Sequence, residues 1–187
     1  MLCSTICSLA VAPVFPTTTF WYNAAVTNNY PISIQVGATG VYLLSSYNYL
    51  TKWASNGQYV WSYSLNPSMM PHSLKLSPDE TYLILVNMDS TVSLDAGITK
   101  LNSSTGSKIY EFYIPNPRLQ EAVSISPDSQ TVLVSGSNTS ALWHIFNSST
   151  GSDIKSYFVT SGNTSQEFAY DSFFINNTNY ILLITSD

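Results

Sequence analysis

The residues able to do chemistry in this chain are few. It holds two histidines, His72 and His144, with eleven carboxylates and six Lys or Arg among 187 residues. His72 stands in Met70-Pro71-His72, directly ahead of the alternating stretch Leu74-Lys75-Leu76. Its imidazole could bind or exchange a proton near neutral pH. Arg118, Glu121 and Glu167 stand near the matching point ahead of two later stretches. Together these four residues form a candidate ligand-binding set of mixed charge. His144 lies inside Leu142–Phe146 beside Trp143, where packing or hydrogen bonding is its expected role. No EF-hand calcium loop, Gly-rich phosphate loop or G-x-S-x-G nucleophile elbow accompanies these residues. No catalytic residue and no metal ligand is therefore assigned, and binding is the chemistry this inventory supports. Cys3 and Cys7 form one isolated C-x-x-x-C, which has neither the second half nor the spacing of a zinc site.

The elements that would position these residues are strands. Charged residues make up 9 % of the chain, against roughly a quarter in ordinary globular proteins. Ser, Thr and Asn must therefore supply the wet surface, while 13 Tyr and 8 Phe, with Val, Ile and Thr, suit a pleated and half-buried one. The six cations are scattered and the formal net charge is −5, so the clustered positive footprint required by a phosphate backbone is missing. Nucleic acid is excluded as a partner on that ground.

Comparing the chain with itself reveals a repeat. Leu74-Lys75-Leu76-Ser77-Pro78-Asp79 matches Val123-Ser124-Ile125-Ser126-Pro127-Asp128, displaced by 49 residues. In each copy an alternating strand runs into a turn, where Pro holds φ near −65° and Asp follows. Short apolar runs come next, Tyr82–Val86 and Thr131–Val134, as expected of strands buried on both faces. Further on, Asn102-Ser103-Ser104-Thr105-Gly106-Ser107 recurs unchanged as Asn147–Ser152, displaced by 45. Strands flank each copy, so Thr-Gly reads as a hairpin turn with positive φ at Gly. The two spacings differ because Asn87–Ala96 forms the longer loop of its unit. Four strands per unit result. A degenerate earlier unit begins at Ile32-Ser33-Ile34, and a last unit with two strands begins at Phe168-Ala169-Tyr170.

At these residues the chain resembles the WD40-like, YVTN and quinoprotein-like β-propeller repeats. In those families an S-P-D turn joins the first two strands and an N-x-x-T-G-x-x-I turn joins the last two, matching Ser77–Asp79, Ser126–Asp128, Asn102–Ile109 and Asn147–Ile154. The resemblance covers roughly Ile32 to Asp187 and implies an all-β propeller of about four blades of four antiparallel strands; the two-strand last unit favours an incomplete part of a ring of six to eight blades, and a closed four-blade ring completed by Thr17–Tyr22 is the alternative. The expected blades are residues 30–66, 70–115, 119–160 and the partial 166–187. It further implies that first strands line a central channel, which would place His72, Arg118, Glu121 and Glu167 at the channel mouth. The Pro-His followed by an S-P-D turn is also similar to lactonase-like propellers, over that one short motif. Quinone-dependent dehydrogenases of this superfamily need a carboxylate-rich calcium cluster and adjacent cysteines. Neither is in this sequence, and no cofactor is expected.

Five N-x-S/T sequons occur, at Asn102, Asn138, Asn147, Asn163 and Asn176, all in expected turns or loops and hence candidate glycosylation sites. Met1–Phe15 is largely apolar and uncharged but shorter than the about 20 residues that span a bilayer. Two readings stand for it: a signal peptide, with Ala10-Val11-Ala12 as cleavage site, or a truncated strand of a preceding blade. Membrane contact would need a segment outside this sequence. The expected function is a non-enzymatic propeller module binding protein or carbohydrate, within a larger secreted or cell-surface protein; a cytoplasmic location is the alternative. The contrasting reading is a piece of a lactonase-like or other propeller hydrolase whose remaining site residues lie on further blades.

Overall fold

The computed structural model describes residues 30–89, 96–114, 123–137, 141–159, 168–175 and 180–186. Their strands form three four-stranded sheets and one two-stranded sheet, each an antiparallel meander in chain order. The first sheet holds β1 (Pro31–Gly37), β2 (Gly40–Ser45), β3 (Tyr49–Trp53) and β4 (Tyr59–Ser64). The second holds β5 (Met69–Leu76), β6 (Tyr82–Asp89), β7 (Ala96–Asn102) and β8 (Lys108–Ile114). The third holds β9 (Val123–Ile125), β10 (Thr131–Ser137), β11 (Ala141–Asn147) and β12 (Asp153–Val159). The last pairs β13 (Phe168–Ile175) with β14 (Tyr180–Ser186). First strands neighbour one another, β1 against β5, β5 against β9 and β9 against β13. Successive sheets therefore stack face to face.

Period-2 alternation gives each sheet two apolar faces. Tyr42, Leu44, Leu50 and Trp61 of the first sheet meet Leu74, Leu83, Leu85 and Leu101 of the second. On its other face the second sheet sends Ile84, Val86 and Ile98 against Val123, Ile125, Val132, Val134 and Phe146 of the third. Leu133, Trp143 and Ile145 then meet Phe174 of the last sheet. The core is thus divided into layers between sheets, which explains runs such as Tyr82–Val86 that are buried throughout.

Both recurrent turns form as expected. In Ser77-Pro78-Asp79-Glu80, Ser77 O accepts from Glu80 N–H, Ser77 Oγ from Tyr82 N–H, and Asp79 Oδ1 from Thr81 N–H. Ser126–Ser129 repeats this arrangement, and Glu80 and Ser129 both close their turns in the left-handed region, at φ 57° and 60°. The Ser126 hydroxyl, then the Gln130 N–H, hold the Asp128 carboxyl below its usual range.

The Asn-Ser-Ser-Thr-Gly-Ser turn does more than reverse the chain. Asn102 Oδ1 accepts from the N–H groups of Ser104 and Thr105, and Asn147 Oδ1 from those of Ser149 and Thr150. The exposed backbone of each turn is closed in this way. The carbonyl of the following serine points back to the preceding sheet. Ser103 O accepts from Lys52 Nζ at 3.1 Å and Trp61 Nε1 at 3.2 Å. Ser148 O accepts from Lys100 Nζ at 2.7 Å and Tyr110 Oη at 3.1 Å. Each lysine also lies over a tyrosine ring, Lys52 over Tyr42 and Lys100 over Tyr82, the latter 3.9 Å from the ring centroid. A buried ammonium is tolerated because a carbonyl and a π-face replace water. Burial still lowers the Lys100 pKa, and pushes Tyr82 up to about 12.

Two sequence expectations need correction. The strand carrying Leu74 and Leu76 starts at Met69, so His72 is inside a strand, and Asn87–Asp89 extends the neighbouring strand where a loop was expected. Proline lacks the N–H that a regular ladder uses. The chain accommodates Pro71 by shifting register between Pro71 and Ser73, and pairing then continues out to Met69 and Asp89. Residues 1–15, including the candidate cleavage site, lie outside the described residues.

Candidate functional site

The sequence reading places the channel positions on the first strands. The register shift that isolates His72 recurs at Ile32, between Pro31 and Ser33, and at Tyr170, between Ala169 and Asp171. A bulge bends the strand locally, so Ile32, His72 and Tyr170 hold matching positions on the first strands of the first, second and last sheets, while the short β9 pairs without a shift. His72 is half-buried. Arg118, Glu121 and Glu167 lie outside the described residues, as do Asn138, Asn163 and Asn176. The described residues therefore bring no second sequence-selected polar group to His72, and among them no group of three His, Cys, Asp or Glu is placed to hold a metal ion. Asn102 and Asn147 are half-buried, with their amide oxygens committed to their own turns.

A second set of polar residues emerges at the outer hairpins, of which the sequence reading had singled out only His144, for packing or hydrogen bonding. Thr51 pairs Ser62, Thr99 pairs Glu111 and His144 pairs Ser156, all at one register position of the third and fourth strands. Two residues after each turn glycine stands the third member: Tyr59, Lys108 and Asp153. Hydrogen bonds join all three members in the second and third sheets; in the first they join Tyr59 and Ser62, while Thr51 Oγ1 donates to Leu43 O. Tyr59 Oη donates to Ser62 Oγ at 3.0 Å; Glu111 accepts from Thr99 Oγ1 at 3.2 Å and from Lys108 Nζ at 2.7 Å. In the third sheet, Ser156 Oγ lies 2.8 Å from His144 Nδ1 and donates to Asp153 Oδ2 at 3.0 Å. One frame thus carries three different chemistries.

The histidine group has the composition of a catalytic triad but not its order. A triad needs the imidazole between carboxylate and hydroxyl; here the hydroxyl stands between carboxylate and imidazole. Ser156 has one proton, given to Asp153, so its oxygen accepts from Nδ1–H and leaves Nε2 as the ring's acceptor. Burial holds the His144 pKa below its ordinary value, and nearby Asp153 opposes that shift without reversing it. Burial thus favours the neutral ring.

His144 and Asp153 also line a cleft of about 200 Å³ between the second and third sheets, with Phe112, Tyr113, Ile114 and Phe146 as its apolar wall. The Phe112 ring meets Phe146 edge to face at 5.2 Å. Gly151 lies on the same wall, where a Cβ would come within 3.2 Å of the Phe112 ring. Aromatic walls with hydrogen-bond acceptors at one end suit a ligand that has an apolar part beside a donor.

The stacked meanders agree with comparison to solved structures. The Cps50 (Swd1) β-propeller domain of Myceliophteria thermophila superposes over 78 % of this chain with a TM-score of 0.57 at 13 % identity. These are β-propeller blades. Hydrazine synthase of Kuenenia stuttgartiensis superposes over 65 % with a TM-score of 0.53 at 15 % identity. Such identities establish the fold alone. The matches span 44 % and 34 % of those chains, respectively, so this chain spans less than half the length of either. No family model matches the sequence, and no curated protein does.

In blade terms, the missed site is a repeat property. Aligning the turns puts Thr51, Thr99 and His144 three residues before the turn, and Ser62, Glu111 and Ser156 five after its glycine. The signal was polarity at a fixed offset. It is faint because no residue type is shared by all three blades at any of the three positions.

Proposed function

We propose that these blades form a non-enzymatic binding module whose cleft between the second and third blades receives a segment of a protein partner. The carrying observation is that the outer polar positions change chemistry from blade to blade on a constant strand register. Such a frame can vary its contacts without altering its core. In the cleft, Phe112, Tyr113 and Phe146 take an apolar side chain, while Asp153 and His144 Nε2 accept hydrogen bonds from an adjacent Lys or Arg. A net charge of −5 favours the same cationic partner.

Selection of a displayed random peptide library against the full chain tests this. The expected consensus places an aromatic or leucine beside Lys or Arg, and the selected peptides bind Phe112→Ala and Asp153→Asn variants about tenfold more weakly, equivalent to about 1.4 kcal/mol. Binders without that consensus, or indifferent to both substitutions, remove the reading. Lactone hydrolysis abolished by His72→Ala would replace it with the hydrolase alternative.

We further propose that the module belongs to a secreted or cell-surface protein. Support comes from the apolar start, the five sequons and the low charge of the chain, because glycans would supply the solubility that charges do not. Intact mass measured on native material before and after enzymatic deglycosylation is expected to fall. An unchanged mass equal to the 20.6 kDa of the whole sequence would place the protein outside the secretory pathway.

A further inference from the structure

The three outer polar groups differ in how their charges are balanced. In the first blade Thr51, Tyr59 and Ser62 form a neutral group. In the second, Glu111 is answered by a cation of its own group, with Lys108 Nζ 2.7 Å from Glu111 Oε2. In the third, Asp153 stands in the place of Lys108 and Ser156 in the place of Glu111. The charge at that place is reversed, and the group holds a carboxylate without a cation. No Lys or Arg is among the residues lining the cleft beside it. Lys155 is close in sequence but pairs Ile145, whose face meets Phe174 of the last sheet. Strand alternation therefore directs Lys155 away from the cleft.

Asp153 and His144 present two acceptors on either side of one hydroxyl. Ser156 Oγ donates to Asp153 Oδ2 at 3.0 Å and lies 2.8 Å from His144 Nδ1. Asp153 Oδ1 and His144 Nε2 are left to take donors from a ligand. Phe112, Tyr113 and Phe146 wall the same cleft. An ammonium is a compact, strongly hydrated point charge, whereas a guanidinium is a flat, weakly hydrated fork that rests on aromatic faces and donates from several nitrogens at once. Two separated acceptors beside aromatic rings match the fork.

We propose that the cation received by this cleft is an arginine of the partner, its guanidinium lying along the aromatic wall and donating to both Asp153 and His144 Nε2. The assignment rests on the binding-module reading and sharpens it: Asp153 attracts any cation, and His144 selects arginine over lysine.

The test is an NMR titration of the full chain at neutral pH with two probes, N-acetyl-Leu-Arg-amide and N-acetyl-Leu-Lys-amide. The arginine probe is expected to bind about tenfold more tightly, through a second charge-assisted hydrogen bond and a stacked guanidinium, and to shift the His144 ring signals. His144→Phe keeps a ring and removes the acceptor, so it is expected to bring the two probes to equal affinity, whereas Asp153→Asn weakens both. The probes are compared on the wild type first, so the test stands even where a variant folds poorly. Equal affinity of the wild type for both probes overturns the arginine assignment and leaves the binding-module reading in place, as does an arginine preference that survives His144→Phe. Silence from both probes overturns the assignment as well; the wider reading is then decided by the peptide selection, which does not depend on them.

Discussion

Replacing Gly106 by alanine lowers the unfolding free energy by about 3 kcal/mol, combining two penalties of about 1–2 kcal/mol each. The first is conformational: Gly106 has φ +72°, where a Cβ clashes with its own backbone. The second is steric. The added Cβ would stand 2.7 Å from the indole carbons of Trp61 on the preceding blade. Neither side can yield freely, because the indole N–H is bonded to Ser103 O three residues before the glycine. Urea unfolding measures the effect, and a loss under about 1 kcal/mol would mean that the turn shifts without strain. Gly151→Ala is the internal control. Its φ is +71° but its Cβ would meet the Phe112 ring only at 3.2 Å, so the conformational part remains and most of the overlap does not.

Trp61→Ala should cost more, about 4 kcal/mol, as expected for truncating a buried tryptophan. Trp61 is 8 % exposed; its ring packs beside Tyr42 at 6.0 Å and supports the turn at Gly106. Trp61→Phe separates the two contributions. It keeps much of the packing and removes only the donor to Ser103 O, which Lys52 also serves, so about 1 kcal/mol is expected. The pair is coupled. With alanine at position 61 there is no indole for a new Cβ to strike, and Gly106→Ala in that background should cost only its conformational part. Additive losses in the double variant would show that ring and turn do not touch in solution.

These two effects show where the repeat was legible and where it was not. The turns could be read because identical residues do identical local work in each copy: Ser caps the first turn, Asn closes the second, and Gly takes positive φ. The partners of the turns could not. Ser103 O receives Lys52 and Trp61, while Ser148 O receives Lys100 and Tyr110. The lysines match in position, but the aromatic donors differ in type, and every donor lies some 40 or 50 residues away in sequence. Asn102 and Asn147 illustrate the same divide. As sequons they read as surface acceptors for glycans; in place, their amide oxygens hold the turn.

His144 is the clearest case. Beside Trp143 in an apolar stretch it reads as a residue for packing or hydrogen bonding, with no partner named by the sequence. Only the antiparallel register sets it across from Ser156, and only the stacking of blades turns that pair, with Asp153, toward Phe112 and Phe146. His72 shows the reverse. Sequence placed it at the channel and kept it out of the strand, yet the bulge after Pro71 draws it in.

By itself the sequence determined the number of strands per blade, their order and the two turns, because alternation, Pro-Asp and Thr-Gly act over a few residues of backbone. Tertiary structure alone decided which polar residues share a groove and which carbonyl receives the buried lysines. Those depend on how one twisted sheet sits on the next, and residues of consecutive blades some 40 or 50 positions apart become neighbours only through that packing.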